Sequence, residues 1–348
     1  MPSTRKAKPG NGVASAALVV CALILLAAAL YFASSVFAPL AFALFILAIV
    51  WPLQEALERA LPKGLALFVT LAVTIVVVLI FASMIAWALS AVGDWLLSNV
   101  QRFQAVYAQA TEWLEGHGIF VAGTLAERFD VIWLLRLFQD IATRLNRLAG
   151  FAILVFVFLM MALLEVEQFR RKLVSLDRQE LIRATAGLAI KFRRYMLVRT
   201  VLSLLTGVAI YLFALFTGLE PAPAWGILGF ALNYIPFVGP FVATLLPALF
   251  AIAQLDTWQA VILVFAGLTA IQFLIGNYLE PLAAGAALSI SPLAVVFAVF
   301  FFALLWGIPG ALIGVPIMLT IIAFSAEFPA SRWVATLLSG ASGGKDRG

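Results

Sequence analysis

Apolar residues run along this chain in unbroken stretches of helix length, not in the half-and-half alternation of a water-soluble domain. Stretches near 13–33, 36–52, 64–90, 149–165, 198–217, 224–253, 258–278 and 293–324 approach or exceed the roughly 20 residues a helix needs to cross a bilayer. The pattern predicts an all-α polytopic membrane protein with about eight transmembrane spans. In the C-terminal half these runs are interrupted by Pro236, Gly239, Pro240, Pro247, Pro281, Pro292, Pro309 and Pro316. In hydrocarbon, a freed backbone N–H or C=O must find a partner in the protein or in trapped water. Proline-broken or re-entrant helices are therefore expected there, lining a buried path with polar walls.

Between the third and fourth runs the pattern changes. Trp95, Leu96, Phe103, Val106, Tyr107, Ala110, Trp113 and Leu114 recur at three- and four-residue spacing, with Gln101, Gln104, Gln109 and Glu112 between them. Val131, Leu134, Leu135, Phe138, Ile141, Leu145 and Leu148 form a second set. Both predict amphipathic helices in a long external segment, whose apolar faces suit the membrane interface or a neighbouring subunit. A third, basic stretch from Arg178 to Arg199 places Leu181, Ile182, Leu188, Ile190 and Phe192 on apolar positions. It is expected to lie along the cytoplasmic headgroups before the fifth span. The resulting organisation is a tail (1–12), spans one to three (13–90), the external amphipathic segment (91–148), span four with the basic segment (149–199), a C-terminal transport core (200–325) and a second tail (326–348).

Composition sharpens this picture. The 348 residues are 64% hydrophobic and 11% charged, with a mean hydropathy of +1.10; soluble domains run at about 45–50% apolar and about 25% charged. The net charge of +5 does not point to nucleic acid, because the basic residues sit in short segments that flank apolar runs. Arg5, Lys6 and Lys8, then Arg170, Arg171, Lys172, Arg178, Arg183, Lys191, Arg193, Arg194 and Arg199, then Arg332, Lys345 and Arg347 all fall on one side of the membrane when the spans are threaded. By the positive-inside rule that side is the cytoplasm, and the localisation expected is a bacterial cytoplasmic membrane with both termini inside. The first apolar run is longer than the roughly 7–15 residues of a signal-peptide core and reads as an uncleaved helix.

Candidate chemistry is sparse. Cys21 lies inside the first span and His117 in a Gly-flanked turn, so no disulfide, no metal site and no cofactor are expected. An intramembrane protease needs a Ser/His pair or two carboxylates at membrane depth; no apolar run carries such a set, and an enzyme is not expected. From Thr200 to Ser331 there is no Lys or Arg, and the only acids are Glu220, Asp256, Glu280 and Glu327.

Three strings carry the polar features of that region. In NYIPFVGPFVATLLPA (Asn233 to Ala248), Pro236 and Pro240 lack donors and disfavour helix at the preceding residue, while Gly239 permits a turn or a close helix approach. A helix–break–helix follows, with Asn233 free to bond a solute, an exposed carbonyl or a neighbouring helix. In QFLIGNYLEP, Gln272, Asn277 and Glu280 precede the break at Pro281; Glu280 is either a buried functional carboxylate or a solvated group at the interface. In WGIPGALIGVP, Gly307, Gly310, Ala311 and Gly314 recur at three- and four-residue spacing before Pro316, a pattern for close helix packing and, secondarily, for a hinge.

These strings, in this order, resemble the C-terminal signature of the autoinducer-2 exporter family of bacterial permeases. The resemblance is carried by Asn233, Tyr234, Ile235, Pro236, Gly239, Pro240, Pro247 and Ala248, then Gln272, Gly276, Asn277, Pro281, Gly285 and Pro292, then Trp306, Gly307, Gly310 and Pro316. It implies a permease that moves a small solute by alternating access around broken helices, working as a homo-oligomer in the lipid bilayer; a sodium/proton antiporter or a channel-like pore of the same fold is the alternative. Family members often carry an acid where Ile275 stands and basic residues where Leu282 and Ala286 stand, so this chain lacks those charges. The substrate pathway implied is Asn233, Pro236, Gly239, Pro240, Gln272, Asn277, Glu280 and Pro281, with Gly307, Gly310, Gly314 and Pro316 as packing or hinge positions.

The charge distribution makes a direct prediction. In a Cys21→Ser background, a cysteine at Glu115 should react with an impermeant maleimide in intact cells and one at Arg178 should not; the reverse pattern would overturn the topology.

Overall fold

The computed structural model describes residues 11–117, 131–176, 179–284, 290–329 and 331–340. The helices are α1 (Asn11–Phe32), α2 (Ser34–Glu58), α3 (Lys63–Ser98), α4 (Val100–Gly116), α5 (Val131–Ser175), α6 (Gln179–Thr217), α7 (Ala222–Leu232), α8 (Val238–Gln254), α9 (Trp258–Phe273), α10 (Glu280–Ala284), α11 (Pro292–Glu327) and α12 (Arg332–Leu338). A π-helical turn, Leu274–Leu279, joins α9 to α10. The described residues contain no strand, only an isolated bridge between Ile290 and Ser339. Six helical segments are long and apolar enough to cross a membrane: Ser34–Glu58, Lys63–Ser98, Gly150–Ser175, Thr185–Thr217, Trp258–Ala283 and Pro292–Glu327. Ala17–Phe32, Ala222–Leu232 and Val238–Gln254 are shorter apolar helices.

Two of the amphipathic stretches take a form the sequence did not predict. Residues 131–148 are not a separate helix; they begin α5, which continues for 45 residues into the fourth apolar run. At about 1.5 Å per residue, α5 is roughly 68 Å long, more than twice the hydrocarbon thickness of about 30 Å, and so projects well beyond it. The basic stretch ending at Arg199 is likewise the first part of the 39-residue α6, with no turn between headgroup and span. The other amphipathic set divides between α3 and α4. Trp95 and Phe103 both pack their rings on Phe250 of α8, at 5.4 and 5.5 Å, so the start of α4 docks on this chain's own core.

Packing follows from lipid as solvent. Hydrocarbon offers no hydrophobic gain for helix association, so helices pair where small side chains let them approach. One core joins α2 to α5 through Ala43, Val155, Leu159 and Leu163, with Phe42 edge-on to Phe151. A second gathers Ala88, Val92, Ile210, Ala214, Trp225, Ala251, Val264 and Leu268 from α3, α6, α7, α8 and α9. Large apolar side chains such as Phe216, Leu293 and Leu304 point outward and remain exposed, as lipid-facing residues do.

The apolar run at 224–253 does not continue as one rod. It forms α7 and α8, 11 and 17 residues long, folded against each other through Trp225, Leu228, Gly229 and Leu232 on one side and Val242, Ala243, Leu246 and Pro247 on the other. The Gln254 amide closes the open end: its Nε2 donates to the Glu220 carbonyl at 2.6 Å, and its Oε1 accepts from the Glu220 N–H at 2.8 Å. The segment therefore leaves where it enters, as a re-entrant hairpin. A second hairpin is hidden within α11. Gly307 has φ +66 and ψ −144, and the two arms fold back so that a Cβ at Gly310 would strike the Phe302 carbonyl and one at Gly314 would sit 2.7 Å from the Ala298 carbonyl. Its open end is closed by the Ser291 N–H donating to the Leu338 carbonyl at 2.9 Å.

The conformation at Gly307 is open essentially to glycine alone. Gly307→Ala should lower the stability of the purified protein by about 1–3 kcal/mol in thermal unfolding, although no neighbour lies within 4 Å of the added methyl. An unchanged midpoint would show that the hairpin does not hold this backbone in solution.

Candidate solute pathway

The two hairpins point in opposite directions. The open end of the first lies at the C-terminal end of α6, where Trp95 Nε1 donates to Glu220 Oε2 and Trp225 Nε1 donates to the Glu220 carbonyl. The open end of the second brings Ile290 onto the cluster of Val299, Ala311 and Val315 that Tyr195 also joins. Along α6, Tyr195 lies about 33 Å from Thr217, taking about 1.5 Å per residue. At the far end of the second hairpin, Trp306 Nε1 donates to the Leu30 carbonyl at the end of α1.

The tip of the first hairpin is built from the residues singled out by its sequence. Asn233 caps α7 and is buried, its Nδ2 donating to Ser203 Oγ at 3.1 Å. Tyr234 Oη donates to Thr200 Oγ1 at 3.0 Å. Pro236 is buried and its carbonyl accepts from Val238 N–H at 2.7 Å; Phe237 then takes a φ of +63 and stays exposed. Gly239 is required by a close approach, since a Cβ there would run into the Leu232 carbonyl. Pro240 falls in the first turn of α8, where a missing N–H costs nothing because those donors have no intrahelical acceptor. Ile235 and Val238 rest on the second hairpin's cluster of Val299, Ala311 and Val315, so the tip of the first hairpin packs against the arms of the second.

One turn along α6 from Ser203 lies a residue that the charge pattern assigned to the headgroups. Arg199 is buried at 4% exposure, and its Nη1 donates to Glu280 Oε1 at 2.9 Å. Glu280 is 39% exposed, which places it at the rim of the interior. The Arg199 Nε is buried with no partner among the described residues. Arg199, Ser203 and Thr206 recur at four and three residues and are all buried, so α6 turns a polar stripe inward through an apolar helix. That periodicity was the available signal for Arg199, Ser203 and Thr206, which lie outside the three C-terminal strings.

Other expected pathway residues are not brought to this point. Asn277 is exposed on the π-helical turn, whereas Asn233 is buried, and Gly276 beside Asn277 has open space within 4 Å. Gln272 is half-buried, and its Nε2 is buried with no partner among the described residues. Pro281 is exposed at the start of α10, where it removes the hydrogen bond to the Asn277 carbonyl. Pro316 is buried in the second arm of α11. His117 is exposed and its ring contacts Trp113. Among the described residues, no group of three His, Cys, Asp or Glu could hold a metal.

Multiple membrane-length helices surrounding two broken-helix hairpins define a multi-pass membrane transport protein. Residues 20–330 match the pattern of the AI-2E family transporter, and the chain belongs to that family. It is 26% identical over 327 residues to the AI-2 transport protein TqsA of Escherichia coli, covering 91% of this chain and 93% of that one. It is 31% identical over 179 residues to a Borreliella burgdorferi protein named for a proposed transport role, covering 49% of each. The YhhT protein of Escherichia coli, also named for a proposed transport role, is 32% identical over 123 residues, or 35% of each chain.

The bond from Asn233 to Ser203 ties the hairpin tip to α6. A double-mutant cycle of Asn233→Leu and Ser203→Ala should give a coupling of about 0.5–1.5 kcal/mol in unfolding free energy; strict additivity would mean the bond does not hold the tip.

Proposed function

We propose that this protein is a permease of the bacterial cytoplasmic membrane that moves a small solute by alternating access around the two opposed hairpins. The observation that carries the reading is their meeting: the tip of the first hairpin, Ile235 and Val238, rests on the arms of the second at Val299, Ala311 and Val315. Broken helices of this kind expose backbone groups and polar side chains to whatever passes between them. Asn233, Ser203, Thr200 and Tyr234 then supply the hydrogen bonds at the meeting point, and motion of the tip past α6 opens it to one side or the other. Similarity to TqsA makes autoinducer-2 one candidate solute. The Arg199–Glu280 pair supplies the titratable group that a sodium/proton antiporter would need, which keeps that alternative in view.

The termini face the cytoplasm in this reading, and the protein works as a homo-oligomer. Asn277 supports the oligomer: it is a polar side chain exposed on a segment long and apolar enough to span the membrane, and a neighbouring subunit would satisfy it where lipid cannot.

Replacing both Pro236 and Pro240 with alanine should straighten the break while leaving insertion intact. Initial flux per folded oligomer in proteoliposomes should fall by roughly tenfold or more, and Asn233→Leu should lower it without a matching loss of expression. Wild-type flux in a well-folded double variant would sink the mechanism. Saturation with counterflow separates a carrier from a channel.

A further inference from the structure

We infer that Arg199 is the binding site for an oxyanion on the transported solute, of carboxylate or phosphate type, and that Glu280 is the internal anion the solute displaces. The inference rests on the permease reading above and adds to it a substrate class and a recognising residue.

The two partners of the ion pair are unequal. Arg199 is held at 4% exposure inside the bundle, whereas Glu280 stands at 39% on its rim. The carboxylate can therefore swing away by turning its side chain, whereas the guanidinium is held in place. A guanidinium offers five N–H donors arranged to grip two oxygens at once. Here one nitrogen meets one Glu280 oxygen, and the Nε is buried with its donor unused. Unused donor capacity on a buried cation is where a second or a better-shaped oxyanion would bind. Thr200, Ser203, Asn233 and Tyr234 lie within the next turn of α6 and on the hairpin tip above it, all neutral hydrogen-bonding groups suited to the uncharged part of a small polar solute.

Charge balance explains why the exchange needs an anion. Moving Glu280 away with nothing in its place would leave a buried, uncompensated cation, which is strongly unfavourable. Exchanging one anion for another keeps the site neutral throughout. Residues 200–331 contain no Lys or Arg, and among the described residues Arg199 is the one buried basic side chain. No covalent step is involved; one oxyanion replaces another on the same donors.

The test is chemical replacement of the missing carboxylate in the full-length purified protein. Thermal unfolding of Glu280→Ala in detergent should rise saturably with acetate at constant ionic strength, with half-saturation roughly tenfold or more below that of wild type. The Arg199→Gln/Glu280→Ala double variant should show no such rise. Glu280→Gln provides the same readout if the alanine variant does not fold. Absence of a saturable acetate effect in both single variants, or an equal effect in the double variant, would overturn the proposal. So would stabilisation by phosphatidylglycerol with none by acetate, which would make the site a lipid-headgroup contact. The acetate measurement involves no transport, so loss of flux in proteoliposomes with the acetate effect intact would reject the permease reading alone, and flux without an acetate effect would reject the oxyanion site alone.

Discussion

Everything in the C-terminal half depends on one constraint: a backbone polar group in hydrocarbon must be bonded to something within the protein. Two helical hairpins interrupt the apolar runs, and each interruption is closed by specific partners. At the first tip, Ile235 N–H donates to the Leu232 carbonyl at 2.9 Å and Gly239 N–H to the Ile235 carbonyl at 2.9 Å. The prolines at 236 and 240 bring no donors that would need partners. At the open end, the Glu220 carbonyl receives both the Trp225 indole and the Gln254 amide. In the first hairpin these bonds replace the helical ones it forgoes.

The same constraint organises α6. A helix in lipid can turn polar side chains inward only where neighbours meet them, and α6 does so along Arg199, Ser203 and Thr206. Thr206 bonds the Leu202 carbonyl on its own helix, Ser203 meets the hairpin tip, and Arg199 reaches across to Glu280. The stripe thus connects the first hairpin with the segment after the π-helical turn. Small residues tighten this contact: a Cβ on Gly207 would sit 2.7 Å from the Gly226 carbonyl of α7, so hairpin and helix touch backbone to backbone.

How much of this was legible follows from what each signal measures. Hydropathy and prolines revealed the helical runs and the breaks within them, because both are local. They could not distinguish a run that crosses from one that returns, since the deciding contact joins Glu220 to Gln254 across 34 residues. Charge counting placed Arg199 with the headgroups because it ends a basic segment, while its burial depends on which face of α6 it occupies. Asn277 entered the implied pathway through the motif that carries the family resemblance. An added residue in a helical turn rotates the face by roughly 100°, and the π-helical turn leaves Asn277 pointing out. Asn233 and Glu280, in contrast, were recognisable as unusual groups in an apolar setting, and both have specific polar partners.

The clasp between Glu220 and Gln254 bears on how such a chain is assembled. Residues 222–254 are mostly apolar and carry no charge, so an insertion machinery that reads hydropathy meets a segment it would treat as one more crossing. A segment that enters and leaves at one face adds no crossing, and the strand of chain after it resumes on the side where α6 ended. The clasp joins the two ends of this segment, and the Arg199–Glu280 pair ties the chain beyond it back to α6. Gln254 carries information that no hydropathy profile contains: its amide holds the two ends of the hairpin together.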